Sequence, residues 1–183
     1  YSQYLEEWEI KSLVKKYSDY VRYPVSMNVI KETPKGDSEE TVTEIVKETL
    51  NTMTPIWKRN KSDISSEEYN EFYKGKFHDW VDPVKVIHTS VEGNIEYTAL
   101  LFIPSKTPFD FHSKEYEKGL QLYTKNVFIM DKCKELVPDY FRFVKGLVDS
   151  SDFSLNISRE ILQQNKMLQN ISNNLEKKKK KEL

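Results

Sequence analysis

Val84-Lys85-Val86-Ile87-His88-Thr89-Ser90-Val91-Glu92-Gly93-Asn94-Ile95-Glu96-Tyr97-Thr98-Ala99-Leu100-Leu101-Phe102-Ile103 is the stretch on which the fold turns. Two runs rich in β-branched and aromatic residues, 84–91 and 95–103, flank Glu92-Gly93-Asn94, and a compact turn between such runs predicts a hairpin. On the N-terminal side, Arg22 to Ile30 and Thr41 to Leu50 read as a second, longer hairpin around the charged turn Thr33-Pro34-Lys35-Gly36-Asp37, with an exposed acidic tip. On the C-terminal side, Leu120 to Met130 reads as a fifth strand.

Helical patterns alternate with these strands. Leu5 to Tyr20 offers Leu5, Trp8, Leu13, Val14 and Tyr17 to one side. Ser62 or Ser65 caps a helix over Ser66 to Phe77, with Tyr69, Phe72 and Tyr73 on its buried face, and Pro83 ends that unit. Pro138 to Val148 is expected to start as a helix and finish as a connecting segment. Interleaved strands and helices without repeats predict a layered α/β domain.

Composition narrows the functional classes. A chain of 183 residues suits one domain with a sizeable core, or one domain with appendages. With 31% charged residues, 38% hydrophobic and a mean hydropathy of -0.69, its surface is polar. No apolar run nears the ~18 residues needed to span a bilayer, and no signal-peptide pattern opens the chain. A net charge of -1 gives no global attraction to nucleic acid or acidic membranes. Cys133 is the single cysteine, so no internal disulfide forms and a reducing cytoplasm is the natural compartment. His78, His88 and His112 match no metal spacing, so no metal site is expected.

The five glycines, at 36, 75, 93, 119 and 146, never come closer than 18 positions, too sparse for a phosphate cradle. No nucleophilic triad is recognisable, so autonomous catalysis is not expected. The lysine run 177–181 invites a nucleic-acid reading, but no aromatic stacking motif accompanies it. At a helix C-terminus those lysines complement the dipole instead.

Chemistry enters at Leu155-Asn156-Ile157-Ser158-Arg159-Glu160-Ile161-Leu162-Gln163-Gln164-Asn165, where a helix opens with a cation. A helix N-terminus carries about half a positive charge, so Arg159 adds like charge to like, and an anion would be drawn to both. At about 100° per residue, Ile161, Leu168, Ile171 and Leu175 define one apolar stripe. Arg159 and Gln163, four apart, share a different face with Lys166, Asn170 and Asn173 and no carboxylate. Two readings stay open: an anion-seeking arginine, or an exposed or interdomain salt-bridge residue behind an ordinary Ser158 N-cap. Trp57, between Ile56 and the basic pair Lys58-Arg59, and Phe128 on the fifth strand are aromatics that suit either a core or a contact surface.

That helix-opening run, with Val148-Asp149-Ser150-Ser151-Asp152 before it, resembles the catalytic-loop segment of the 90-kilodalton heat-shock protein chaperones. The resemblance continues in order through Tyr17-Ser18-Asp19-Tyr20-Val21-Arg22-Tyr23-Pro24, Pro55-Ile56-Trp57-Lys58 and Glu68-Tyr69-Asn70-Glu71-Phe72-Tyr73-Lys74. Further on it includes Ser90-Val91-Glu92-Gly93, Leu101-Phe102-Ile103-Pro104, Val127-Phe128-Ile129-Met130-Asp131 and Phe143-Val144-Lys145-Gly146. The Asp131-Lys132-Cys133 and Leu155-Asn156-Ile157-Ser158 variants are most similar to the family's bacterial branch.

This resemblance implies that residues 1–183 are the larger part of a chaperone middle domain, cut from a longer protein. It divides them into an opening helix (1–20), an α/β core (21–150) and a catalytic loop with a following C-terminal helix (151–183). The implied fold is a three-layer α/β/α sandwich like the second domain of ribosomal protein S5. Arg159 would reach the γ-phosphate of ATP held in the N-terminal ATPase domain of the same chain, with Gln163 supporting it and Asn156 orienting the loop. ATP and magnesium belong to the whole protein and no cofactor to this portion. Trp57 and Phe128 become contacts for unfolded or partly folded client proteins or for the docking ATPase domain. The portion is expected to be a monomer, the whole protein a cytoplasmic homodimer through an absent C-terminal domain. The alternative is a client or co-chaperone binding module with no direct catalytic contribution. A ribosomal-type RNA-binding domain rests on fold analogy alone.

Overall fold

The computed structural model describes residues 6–34, 41–108, 111–153 and 161–182, without the side chains of 32–34, 41–43, 161–165, 179 and 182. The chain forms two compact units, Tyr1–Pro55 and Ile56–Leu183. Residues 21–55 therefore group with the opening helix and not with the α/β body that follows.

In the first unit, helix α1 (Glu7–Leu13) runs into a π-helical turn at Val14–Ser18, within the span where a helix is expected. Its aromatic side is not core: Trp8 is 67% exposed. Strands β1 (Ser26–Pro34) and β2 (Thr41–Thr49) pair antiparallel as a two-stranded sheet, and the expected tip at 35–37 lies outside the described residues. β1 starts four residues later than the sequence suggests, because another group takes up the backbone before it. The Asn51 amide donates to the carbonyls of Val21 and Tyr23, and its oxygen accepts from Val25 N at 2.8 Å. Backbone groups satisfied by a side chain have no need of a strand partner.

The second unit is built on a five-stranded mixed sheet in the order β3 (Lys85–Val91), β4 (Tyr97–Ile103), β7 (Lys145–Asp149), β5 (Leu120–Thr124), β6 (Val127–Cys133). Helix α2 (Ser66–Phe77) begins at Ser65 with a reciprocal capping box: Glu68 N donates to Ser65 Oγ at 3.2 Å, and Ser65 N to the Glu68 carboxylate at 3.0 Å. Both donors would otherwise be orphaned at the helix start. β3 (Lys85–Val91) and β4 (Tyr97–Ile103) form the hairpin read from 84–103.

Two expectations are corrected here. Leu120 to Met130 is not one strand but a hairpin, β5 (Leu120–Thr124) and β6 (Val127–Cys133). Lys125 and Asn126 turn it with φ of 50° and 68°, the doubly positive pair of a type I′ turn. Asn tolerates that region, but with no glycine beside it the signal vanishes into the flanking apolar run. Pro138 to Val148 is not a helix start: one 3₁₀ turn at Asp139–Phe141 leads into β7 (Lys145–Asp149), the middle strand of the sheet. β7 runs antiparallel to β4 and parallel to β5, and its last four residues are buried. A strand covered on both faces shows no alternation to read.

Alternation along β4 makes the three layers visible. Tyr97, Ala99 and Leu101 join a core with Leu168, Ile171 and Leu175 of helix α3 (Ile161–Glu182), so this sheet face is covered by the C-terminal helix. Phe102 points the other way into the α2 side chains, its ring centroid 6.1 Å from Phe72, 5.1 Å from Tyr73 and 5.9 Å from Phe77. The second unit is therefore an α/β/α sandwich, as expected. Period-2 strand geometry sends neighbouring side chains to opposite faces, and each face finds its own helix.

Candidate functional site

Position in the fold follows the sheet polarity. β7 ends at Asp149, whose carboxylate is fully buried, and the chain leaves the sheet there ahead of residues 154–160. Asp149 Oδ2 accepts from Trp57 Nε1 at 3.0 Å and lies 3.3 Å from Lys58 Nζ, while Oδ1 accepts from Asn126 N at 3.4 Å. A carboxylate removed from water needs such donors to offset its desolvation. The next residues are held as well. Ser150 N donates to Tyr123 O at 3.2 Å, Ser150 Oγ donates to Glu96 O, and Glu96 N donates to the Asp152 carboxylate at 2.8 Å. Phe153 then enters the core at 3% exposure.

Beyond Phe153, Asn156 and Arg159 lie outside the described residues, and Gln163 occupies the first turn of α3, its side chain also outside the description. The helix itself sorts its faces as the spacing requires. Leu168, Ile171 and Leu175 are buried, whereas Lys166, Asn170 and Asn173, on the face shared with position 163, are exposed. The first turn carries no acidic residue.

Trp57 sits in a 3₁₀ turn, Ile56–Lys58, and is 1% exposed. Its indole lies 4.9 Å from the Tyr123 ring and 6.0 Å edge-on from Phe72. As packed, the ring offers no face to another protein. Phe128 is half-buried on the outer strand β6, edge-on to Tyr123 at 5.5 Å.

His88 ties the Trp57 turn to the sheet. Its Nε2 lies 3.0 Å from the Trp57 carbonyl, which can only accept, so Nε2 carries the proton and Nδ1 accepts from the Tyr69 hydroxyl at 2.7 Å. Burial lowers the His88 pKa, opposed by the bond to Trp57 and helped slightly by Lys61. A folded value below the unfolded one means that the neutral ring stabilises the fold above about pH 6.5 and that this stability is lost as pH falls through the folded value. The urea midpoint of the second unit is thus expected to drop between pH 7 and pH 5.5, and to drop less with His88→Gln. Parallel titrations of the two proteins check this; equal drops would contradict it.

Beside this cluster opens a cleft of about 610 Å³, its walls including Lys58, Lys61, Ser90, Glu96, Ser151 and Lys178. Charges of both signs line it. Among the described residues no group of His, Cys, Asp or Glu could hold a metal ion. The Cys133 thiol is fully buried, and burial with the neighbouring Glu135 pushes its pKa up to about 12, which keeps it protonated and unreactive. Sequence reasoning missed Asp149 and His88. The available signal for Asp149 was an acid closing the apolar run Leu147-Val148; His88 carried none beyond its place in a strand.

The chain belongs to the Hsp90 family: the family model described as "Hsp90 protein" matches residues 30–182. It is 53% identical to the chaperone protein HtpG of Clostridium botulinum strain 657, over 100% of this chain and 29% of that protein. The HtpG of Fusobacterium nucleatum is 55% identical over 97% of this chain and 26% of its own length. Among solved structures, the middle domain of a Plasmodium falciparum heat shock protein superposes with a TM-score of 0.57 at 34% identity, covering 68% of this chain and 46% of that one. The chain is therefore a middle-domain portion of an HtpG-like Hsp90 protein, spanning under a third of its bacterial relatives' length. None of its described helices is long and apolar enough to cross a membrane.

Proposed function

We propose that this chain donates Arg159 to the γ-phosphate of ATP bound in the preceding ATPase domain of the whole protein, with Gln163 supporting the arginine and Asn156 orienting the loop. Phosphoryl transfer to water builds charge on the phosphate oxygens, and a positioned arginine stabilises it. Holding that arginine on a separate domain makes hydrolysis wait for docking. The observation that carries the reading is the division of α3. Its apolar side is locked in the core, while the side containing position 163 is exposed and free of carboxylates at Lys166, Asn170 and Asn173. Among the described residues of that face, Lys166, Asn170 and Asn173 offer no carboxylate that would pair with a cation there. ATP and magnesium would be held by the neighbouring domain, the whole protein acting as a cytoplasmic homodimeric chaperone joined through its C-terminal domain.

A second reading, a client or co-chaperone binding module, is favoured by one observation: Phe128 is half-exposed on an outer strand. Outer strands and their aromatics are natural contact surfaces. For Trp57 such a role would require the indole to leave its packed site. The two readings separate on whether Arg159→Ala in the whole protein reduces ATP hydrolysis or client affinity.

A further inference from the structure

We propose that Asp149, braced by Trp57 and Lys58, is a positioning residue for the Arg159 segment, so that Trp57 acts on hydrolysis through the strand end it holds and not through contact with another protein. This rests on the reading of Arg159 given above.

Three donors reach the one carboxylate from separate places in the fold. Trp57 and Lys58 come from the 3₁₀ turn ahead of α2, and Asn126 from the β5–β6 turn. The indole in turn is clasped by Tyr123 and Phe72, and its backbone carbonyl by His88. A buried ion pair seldom stabilises a domain more than apolar groups of the same volume would. What such a pair does supply is direction, since each of its hydrogen bonds fixes an angle as well as a distance. Here the direction given is that of the last residue of β7. From it the chain passes through Ser150, Asp152 and Phe153, each tied to Glu96 just ahead of β4, to β5 or to the core. Arg159 is ten residues beyond Asp149 and two before α3, whose apolar side is anchored. A reacting group displaced by about 1 Å can lose on the order of 10²-fold in rate, so a brace on the strand that leads into a donated arginine bears on turnover.

The test is steady-state ATP hydrolysis by the whole protein carrying Trp57→Phe, which keeps a ring and removes the Nε1–H, alone and combined with Arg159→Ala. Lys58→Gln is the second variant, its side chain being 38% exposed. Each single brace variant is expected to lower kcat about threefold or more with KM for ATP held within about twofold, the pattern of a group lost from the transition state alone. On the Arg159→Ala background the same substitutions are expected to change kcat little, because residues acting through one group are not additive. If Trp57→Phe does not fold, Lys58→Gln decides. Unchanged kcat in the folded brace variants overturns this inference while leaving the role of Arg159 intact if Arg159→Ala is itself slow. An equal loss on both backgrounds overturns it too, since the effect would then bypass Arg159. Hydrolysis unaffected by Arg159→Ala overturns both the functional reading and the inference built on it.

Discussion

Gly146→Ala is expected to remove the cooperative unfolding transition of the second unit, or to lower its midpoint by well over ten degrees. Gly146 stands in β7 at φ +149°, a conformation that residues with a Cβ rarely adopt. A Cβ there would meet Leu100 O at 2.3 Å and Leu101 Cα at 2.8 Å. Both atoms belong to the backbone of β4, the strand paired with β7, and Gly146 is itself the register partner of Leu101. No rotamer change relieves such a clash; the two central strands must separate. Backbone strain of about 1–3 kcal/mol adds to overpacking of about 1–3 kcal/mol or more. Against a typical domain stability of about 5–15 kcal/mol, that sum leaves little margin. Thermal unfolding followed by circular dichroism checks it, and a midpoint within a few degrees of the parent would show that the strands yield more easily than their packing indicates.

Trp57→Ala is the other large effect, with an expected loss of about 3–5 kcal/mol from the emptied ring site. The Asp149 carboxylate also loses its indole donor while remaining inside the protein, which adds about 1–3 kcal/mol. Denaturant titration of the 183-residue chain measures this directly. A surface aromatic kept for client contact would give a change within about 0.5 kcal/mol, so a result that small would contradict the burial of Trp57. Effects of Trp57 substitutions on chaperone activity therefore need the stability measurement beside them before they are assigned to lost contact.

Sequence carried much of this fold because its strongest patterns coincide with local physics. The 84–103 hairpin has a glycine-centred turn between two β-rich runs, and α2 has its cap, its capping glutamate and its buried aromatics at helical spacing. The C-terminal helix shows its stripe plainly, since Leu168, Ile171 and Leu175 recur at three- and four-residue intervals. Where the reading failed, the deciding information lay elsewhere in the molecule. β7 is a five-residue strand buried between two others, and only its neighbours define it. The turn at Lys125-Asn126 has no residue that demands positive φ. Asn51 delays β1 from a distance of about thirty residues, a tertiary bond that no local window contains.

For the candidate site the sequence raises a chemical expectation: read as the opening residue of a helix, Arg159 would attract an anion, and residues 154–160 lie outside the described residues. The brace behind it is another matter: Trp57 and Asp149 are 92 positions apart, and nothing in either local sequence names the other. For that reason the sequence leaves Trp57 open between core and contact surface, and the structure makes it an internal donor.

The most direct measurement is ATP hydrolysis by the whole protein with Arg159→Ala, taken together with its affinities for ATP and for an unfolded client. Loss of one positioned transition-state stabiliser typically costs about 2.7–4 kcal/mol, on the order of 10²- to 10³-fold in kcat. If domain closure limits turnover, the fall is smaller but still at least several-fold. The account predicts such a fall with both affinities preserved. Unchanged hydrolysis, above all if client affinity drops instead, would contradict it and leave the chain as a binding module.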